Sequence, residues 1–374
     1  MGKIIKNARI PINGMMAKDN DVLIEDGVIK YVGQLRDEEL KGSEIIDACG
    51  RYLVPGFIDC HASSGYNADE LKYMAMDYAR RGVTGFYMTL GPESNEEYFR
   101  VFEECRKAYD SDYPGARFLG IHLEGPFLSM EKKGAMDENK LRQVVAPEDV
   151  EELIAAGADL VKIITLSPEL EGACEAINKF TEAGITVSMG HSMATYGQAM
   201  KGIRAGATQV THMYNAMRPF AHRETGIMGA AILSDDIYCA LIMDGVHVSE
   251  EAMKILIKAK GTDKIMAVSD GEIKFGHDSS DRETEDFIIK DGAIYLKNGV
   301  LYGSTRDVAD HFKTIIVRLG LGIPDAVKMT STNCAEHMEI RKGKIGKGYD
   351  ADFNLVDDSF NVCKTFISGQ EINL

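Results

Sequence analysis

The sequence predicts an α/β fold, namely a TIM (β/α)8 barrel with a small β-sandwich domain formed by both termini. Three observations predict it. Short apolar runs alternate with amphipathic helical stretches through the middle of the chain, both ends contain short strands, and histidines or acids follow several of the apolar runs. The predicted barrel domain spans residues 53–345, and the predicted β-sandwich domain joins residues 1–52 to residues 346–374.

The two ends of the chain share a strand-like pattern. Lys3–Ile10 alternates apolar and polar residues, and the apolar runs Asp21–Glu25 and Val28–Val32 flank an Asp-Gly pair. An Asp-Gly pair between two such runs is typical of a tight β-hairpin. Two more runs, 351–356 and 362–367, lie near the C-terminus. Each end has too few strands to be stable alone, so the two ends are expected to pair in one sheet.

The middle of the chain contains eight candidate strands with helices between them. A strand–helix unit repeated this often predicts a closed parallel barrel, whose active site forms at the carboxyl ends of the strands. An open doubly wound sheet is the alternative, but no glycine-rich phosphate-binding motif follows the first strand. The candidate strands are Leu53–Asp59, Val83–Leu90, Ala116–His122, Leu160–Thr165, Ile185–Met189, Gln209–His212, Cys239–Met243 and Ile265–Ser269.

Composition narrows the class of protein. With a net charge of −16, the chain lacks the clustered positive charge that nucleic acids or anionic membranes require, so neither is expected as a partner. The seven cysteines include no C-x-x-C pair, and no signal peptide or long apolar span is evident. These features predict a cytoplasmic protein.

Polar residues with metal-binding chemistry follow the candidate strands. Five of the nine histidines lie at predicted strand ends, together with a glutamate and an aspartate. A single histidine after a strand is usually structural, but this many on one face of a barrel predict a metal site. The residues are His61, His122, Glu124, His191, His212, His247 and Asp270.

The chemistry of these side chains assigns their roles. A catalytic metal usually has three protein ligands and an open position for water, and Glu124, His191 and His212 would supply one oxygen and two nitrogens. His61 is a possible additional ligand. Asp270 could take the proton from that water and pass it to the leaving nitrogen, although Ser-Asp-Gly is also turn chemistry. We therefore expect one divalent metal per subunit, with zinc, iron and cobalt equally compatible.

The same residues lie in motifs that resemble the N-acetylglucosamine-6-phosphate deacetylases of the amidohydrolase superfamily. The resemblance covers nearly the whole chain, and the most specific strings are His-Leu-Glu-Gly-Pro-Phe at 122–127 and Thr-His-Met-Tyr-Asn-Ala-Met at 211–217. Lys-Lys-Gly-Ala at 132–135, Gly-His-Ser at 190–192, Asp-Gly-Val-His at 244–247 and Leu-Tyr-Gly-Ser-Thr at 301–305 complete it.

The resemblance implies a metal-dependent amide hydrolase that is a homodimer and acts on a small amino-sugar phosphate. It implies Glu124, His191 and His212 as metal ligands and Asp270 as the general acid and base. It also implies substrate contacts, with Arg223 and His247 near the phosphate or its neighbouring hydroxyls. The remaining implied contacts are Ala135, Asn215, Ala216, Leu301, Tyr302 and Gly303.

The sequence departs from the family pattern at four places. Ser63 stands where many members have the second histidine of His-x-His, which favours a single metal, and Met136 stands where a histidine is common. Arg218 replaces a usual proline, and Gly271-Glu272-Ile273-Lys274 replaces a small, alanine-rich loop after Asp270. The metal ligands are retained, whereas the substrate contacts are partly changed.

Three hypotheses follow from this sequence. The first is hydrolysis of the N-acetyl amide of N-acetylglucosamine 6-phosphate to glucosamine 6-phosphate and acetate. The second keeps the mechanism but changes the substrate, for example to N-acetylgalactosamine 6-phosphate. The third is a catalytically weak, ligand-sensing relative that keeps the barrel and the metal.

Overall fold

Two β-sheets organise the chain in a computed structural model, which describes residues 2–12, 14–36, 42–63, 66–109, 113–157, 159–272 and 276–372. The smaller sheet joins the two ends of the chain. Its strands, numbered in chain order, are β1 (Lys3–Ile12), β2 (Met15–Glu25), β3 (Val28–Gly33), β4 (Glu44–Asp47), β5 (Tyr52–Pro55), β19 (Phe353–Val356), β20 (Val362–Ile367) and β21 (Gln370–Glu371). They lie in the order β21-β20-β19-β5-β1-β2-β3, with β4 paired to β1.

The pairing of the two ends in one sheet is confirmed. Strand β19 runs antiparallel to β5, which pairs in parallel with β1. The hairpin predicted at Asp26-Gly27 is also confirmed, because β2 and β3 are antiparallel and both turn residues have positive φ, 51° and 73°. An apolar cluster drawn from both ends holds the small β domain together, and it includes Ile5, Ile24, Leu53, Phe353 and Phe366.

The larger sheet is the barrel. Each strand from the first to the eighth pairs in parallel with the next one in sequence. These strands are β6 (Phe57–Ser63), β7 (Val83–Leu90), β8 (Arg117–Glu124), β9 (Val161–Leu166), β10 (Thr186–Met189), β11 (Gln209–Val210), β12 (Tyr238–Leu241) and β13 (Ile265–Ala267).

The segment after β13 closes the barrel by joining its last strand to its first. The Val268 amide donates to the Leu241 carbonyl of the seventh strand at 3.1 Å, and the Asp270 amide donates to the His61 carbonyl of the first strand at 3.0 Å. A short strand, β14 (Gly271–Glu272), then pairs in parallel with the end of β6. Closure brings all eight carboxyl ends to one mouth.

An antiparallel extension continues the larger sheet beyond β14. It consists of β15 (Arg282–Glu283), β16 (Phe287–Lys290), β17 (Ala293–Leu296) and β18 (Leu301–Ser304), of which β18 pairs with β14. These strands are not predicted from the sequence. They place Leu301 and Tyr302 beside the mouth of the barrel.

Amphipathic helices cover the outside of the barrel. In α1 the buried residues are Leu71, Met74, Ala75, Tyr78 and Ala79, a spacing that puts one face of the helix on the strands. Among the described helices, none combines the length and apolar character that crossing a bilayer requires. The helices are α1 (Ala68–Arg80), α2 (Asn95–Tyr109), α3 (Pro147–Gly157), α4 (Ala173–Glu182), α5 (Tyr196–Ala205), α6 (Gly226–Leu233), α7 (Glu250–Lys260), α8 (Val308–Val317), α9 (Ile323–Val327) and α10 (Asn333–His337), with a π-turn at Lys328–Thr332 between the last two.

The first predicted barrel strand is wrong in its extent. The run Leu53–Asp59 is divided between two sheets, with β5 in the smaller sheet and β6 in the barrel. The break falls at Gly56, where a Cβ would lie 2.1 Å from Thr84 Oγ1, so the chain passes too close to its neighbour for a side chain. A continuous apolar run does not reveal such a change of sheet. The boundaries of the two proposed domains stay a prediction.

A histidine at the end of α10 gives the protein a predicted loss of stability in acid. The His337 ring stacks on Tyr238 at 4.3 Å, and burial, with Lys264 nearby, lowers the pKa of His337 to about 4. In the unfolded chain, the pKa of a histidine side chain is about 6.5. Since the unfolded state then binds more protons between these values, stability falls as the pH drops from 6.5 towards 4.

We expect His337→Gln to remove part of this dependence. Between pH 7 and pH 5 the wild type should lose about 1–2 kcal/mol more of its unfolding free energy than the variant does. Urea denaturation at both pH values measures the difference, and His222→Gln, at an exposed histidine, is the matched control. Equal losses in wild type and His337→Gln would contradict the assignment.

Candidate metal centre

Five strand ends deliver the polar side chains at the mouth of the barrel. Glu124 is the last residue of β8, His61 lies in β6, and Asp270 lies between β13 and β14. His191 and His212 each follow the end of their strand by two residues, after β10 and β11. Because parallel strands end at the same edge, residues far apart in sequence meet here.

Three of these side chains form a buried group with metal-binding geometry. Glu124 Oε1 lies 3.1 Å from His191 Nε2 and 3.0 Å from His212 Nε2, and the two nitrogens are 3.1 Å apart. Two donors each about 2.1 Å from one ion would be about 3.0 Å apart at a right angle and about 3.4 Å apart at a tetrahedral angle. The three side chains are therefore spaced to share one divalent ion. Each offers one ligand atom, and these atoms all lie within 4.8 Å of one another.

The hydrogen bonds of the histidines agree with a metal role. His191 Nδ1 lies 2.7 Å from the Lys132 carbonyl oxygen, which can only accept, so Nδ1 donates its proton and Nε2 keeps a lone pair for an ion. His212 Nδ1 is buried and has no hydrogen-bond partner among the described residues. Glu124 Oε1 and His191 Nε2 thus meet as acceptors, with His212 Nε2 3.0 Å from the first and 3.1 Å from the second, an arrangement that a cation stabilises.

The charges of this group act on one another. Burial acts to raise the pKa of Glu124, but the charge of the neighbouring His61 holds that pKa well below its usual range. Glu124 is 4% exposed, so its ionised form needs a positive partner close by.

Asp270 and His61 lie beside the group. His61 Nε2 is 3.1 Å from Asp270 Oδ1 and 3.4 Å from Glu124 Oε2, yet neither ring nitrogen of His61 forms a hydrogen bond of good geometry. Burial acts to raise the pKa of Asp270, and His61 holds it below its usual value. An ionised carboxylate at this position can accept a proton.

A second polar layer lies under the group and includes His122. Its Nδ1 lies 2.9 Å from the Cys60 carbonyl oxygen and its Nε2 lies 2.7 Å from Thr165 Oγ1, which in turn contacts Thr211 Oγ1 at 2.7 Å. Burial, assisted by the charge of His61, lowers the pKa of His122 to about 3. His122 is therefore neutral at physiological pH and, with both nitrogens engaged, supports the layer above it.

The backbone of the site is held in an unusual conformation. His191, His212, Ala216 and Asp270 have positive φ values of 46°, 29°, 49° and 47°. Each such residue costs on the order of 1–3 kcal/mol, which the surrounding structure must offset. Before His191, a Cβ on Gly190 would lie 2.8 Å from Thr211 Cβ, so only glycine allows these two strand ends to approach so closely.

A cavity of about 730 Å³ opens above the group. This volume lies within the usual range for small-molecule sites. Of the described residues that line it, five are acidic (Glu70, Glu124, Glu131, Asp270 and Glu272), and Lys132 is the one lysine or arginine. An anionic ligand must therefore place its charge away from most of this wall.

The structure brings most of the predicted substrate residues to this cavity. Ala135, Asn215, Ala216, His247, Leu301 and Tyr302 line it, together with the proposed metal ligands and Asp270. His247 Nδ1 donates to Asp244 Oδ2 at 2.6 Å, and this bond fixes the orientation of the His247 ring. Gly303 and His61 are both buried and do not belong to the described lining of the cavity.

Arg223 is placed differently. It lies on an exposed loop and does not belong to the described lining of the cavity in this single chain. The sequence showed its motif but could not show that its side chain lies outside the subunit's own cavity. Its assignment as a substrate residue stays a prediction.

Several lining residues were not predicted as site residues, among them Ser63, Lys132, Met136 and Glu272. Ser63 lies at the end of a barrel strand, which is the signal that identified the histidines, and Glu272 lies at the end of the short strand β14 that pairs with it. Ile273 and Lys274, the rest of the altered loop after Asp270, lie outside the described residues.

Comparisons with known proteins agree with this geometry. The sequence model of the amidohydrolase family matches residues 52–372. A curated N-acetylglucosamine-6-phosphate deacetylase of Lysinibacillus sphaericus is 30% identical over 98% of this chain and 97% of its own length. An N-acetylgalactosamine-6-phosphate deacetylase of Shewanella sp. (strain ANA-3) is 32% identical over 85% of this chain and 82% of its own length.

A solved structure shows the same fold. The crystal structure of N-acetylglucosamine-6-phosphate deacetylase from Pasteurella multocida superimposes with a TM-score of 0.91 over 99% of both chains, at 28% sequence identity.

Proposed function

The chain belongs to the amidohydrolase family, and from that premise we propose that it hydrolyses the N-acetyl amide of N-acetylglucosamine 6-phosphate. The products are acetate and glucosamine 6-phosphate. The observation that carries the proposal is the buried group of Glu124, His191 and His212, with Asp270 beside it at the mouth of a barrel. Full-length relatives with this activity in their names support the choice of sugar.

The proposed metal is a single divalent ion, which Glu124, His191 and His212 would hold. Bound there, it would polarise the amide carbonyl and lower the pKa of water. The donor set of two imidazoles and one carboxylate suits zinc, iron or cobalt. Ser63, in place of a second histidine, removes one donor that a second ion would need, which leaves His61 as the possible additional ligand.

The chain's own residues move the proton and hold the substrate. The Asp270 carboxylate accepts a proton as water attacks the amide carbon, and returns it to the amide nitrogen as the C–N bond breaks. The Lys132 carbonyl keeps the His191 proton on Nδ1. Asn215, His247, Ala135 and Ala216 line the cavity, and we propose that they contact the sugar phosphate, the two alanines through their backbone.

Arg223 lies outside the cavity of its own subunit, and this supports a homodimer in which an arginine could reach the phosphate in a partner's cavity. A guanidinium fork suits a phosphate dianion. The cytoplasmic setting stays a prediction, and all seven cysteines, each within the described residues, are free thiols.

A substrate panel tests the function. We expect acetate release from N-acetylglucosamine 6-phosphate with a kcat/KM about 10- to 100-fold above that for unphosphorylated N-acetylglucosamine, because charge-assisted bonds to the phosphate are lost in the latter. Equal rates with both sugars would contradict the proposed substrate.

The same panel separates the alternatives. Faster turnover of N-acetylgalactosamine 6-phosphate, the substrate named for the Shewanella relative, would favour the second hypothesis. Metal and sugar binding without acetate release from any of these compounds would favour a ligand-sensing relative.

A further inference from the structure

Glu272 lies in the wall of the cavity, next to the proposed acid and base. It follows Asp270 by two residues, and both side chains line the cavity. Strand β14 holds it there, because Gly271 pairs with Ala62 and with Ser304, and Glu272 pairs with Ser63. Both neighbouring strands thus fix the position of this carboxylate.

Two departures from the family pattern meet at this point. Ser63 replaces a histidine and Glu272 lies in the altered loop, and the structure makes them direct partners across β6 and β14. A short serine leaves space at a place where a histidine ring would stand. Glu272 and Ser63 both line the cavity, and the small serine side chain does not cover the Glu272 carboxylate.

The third strand supports the same side chain. The Tyr302 hydroxyl hydrogen-bonds with the Glu272 carboxylate, and Tyr302 also lines the cavity. A Cβ on Gly303 would lie 2.9 Å from the Asp270 carbonyl oxygen and 3.2 Å from Glu272 Cγ, so glycine leaves room for Glu272. A carboxylate has about four acceptor sites, so a bond with Tyr302 is compatible with a further donor from a ligand.

The chemistry of the carboxylate limits what can lie against it. When ionised it accepts hydrogen bonds and repels a phosphate. The phosphate must then point towards another part of the cavity. Since Glu272 lines the same cavity as Asp270, the proposed acid and base at the amide, we expect the groups around the amide to lie nearest to Glu272. On the sugar these are the hydroxyls on the ring carbons flanking the amide-bearing carbon, and on the acyl group a hydroxyl would have the same chemistry.

We propose that Glu272 is a specificity-determining residue whose carboxylate accepts a hydrogen bond from a substrate hydroxyl next to the scissile amide. The proposal rests on the proposed deacetylase function. It assigns to Glu272 the choice among N-acylated amino-sugar phosphates, and it orients the sugar with its phosphate away from β14.

The test compares substrates with and without the hydroxyl in wild type, Glu272→Gln and Glu272→Ala. The substrates are N-acetylglucosamine 6-phosphate, its 1-deoxy and 3-deoxy analogues, and the N-glycolyl compound. Glu131→Gln is the matched control, since it removes a charge from an exposed carboxylate on the rim of the same cavity.

In wild type, we expect kcat/KM for one hydroxyl-bearing substrate to be about 10- to 100-fold higher than kcat/KM for the matching substrate without that hydroxyl. This ratio is the effect of one hydrogen bond to a charged group. Glu272→Ala should reduce this ratio to near 1, Glu272→Gln should reduce it in part, and Glu131→Gln should leave it unchanged. A ratio that appears only with a deoxy sugar identifies a ring hydroxyl, and one that appears only with the N-glycolyl compound identifies an acyl hydroxyl.

Two results would overturn the assignment. One is a parallel change for all substrates in the Glu272 variants, which indicates a structural role. The other is an equal change in Glu131→Gln, which indicates only the net charge of the cavity. Both require an active wild-type enzyme, whereas failure of the proposed function would show as no release of acetate from the three N-acetyl substrates, and none of glycolate from the N-glycolyl compound, by wild type.

Discussion

Replacing Asp270 with Asn is expected to lower kcat for amide hydrolysis by about 10²- to 10⁴-fold, the usual contribution of a general acid and base. Asparagine has nearly the same shape and can still contact His61, so the geometry of the site is kept. It cannot accept the proton from water or return one to the amide nitrogen. Acetate release under saturating substrate measures the loss.

Two controls make this result specific to proton transfer. Metal content per chain and the dissociation constant of the sugar phosphate should be close to those of wild type, because Asp270 is not among the three proposed ligands. Glu70→Gln removes another carboxylate from the lining of the same cavity and should change kcat little. Activity in Asp270→Asn near the wild-type level would show that the proton takes another route.

Replacing His191 with Asn should reduce bound metal to background and lower kcat/KM by on the order of 10³-fold or more, since a bound cation contributes several kcal/mol to such a reaction. The physical reason is the fixed direction of the ring. The Lys132 carbonyl holds the Nδ1 proton, so the lone pair of Nε2 is directed at Glu124 and His212. A shorter amide side chain would not reach the same position.

Metal analysis and thermal unfolding test this prediction independently of turnover. An ion that binds only the folded protein raises its stability with concentration, so added metal should raise the Tm of metal-stripped wild type but not that of His191→Asn. His222→Asn, at an exposed histidine, should behave as wild type. A full complement of metal in His191→Asn would exclude His191 as a ligand.

Local patterns in the sequence were sufficient to predict the architecture. Alternation of apolar runs with amphipathic helices such as α1 predicts the barrel. Burial of one helix face leaves a periodic apolar pattern, and burial of both strand faces leaves a short continuous apolar run. The Asp26-Gly27 hairpin is equally local, since it depends on two residues that tolerate positive φ. The residues at the strand ends also predict a metal site, since the fold itself brings those ends together.

Pairings between distant segments were decided only by the tertiary structure. Leu53–Asp59 is predicted as one strand, yet the contact of Gly56 with Thr84 divides it between two sheets. Arg223 has the right motif but an exposed position outside its own cavity. Glu272 and Ser63 are about two hundred residues apart in the chain and become neighbours only when β14 closes the barrel against β6. Closure depends on the register of all eight strands together, and no short stretch of sequence specifies that register.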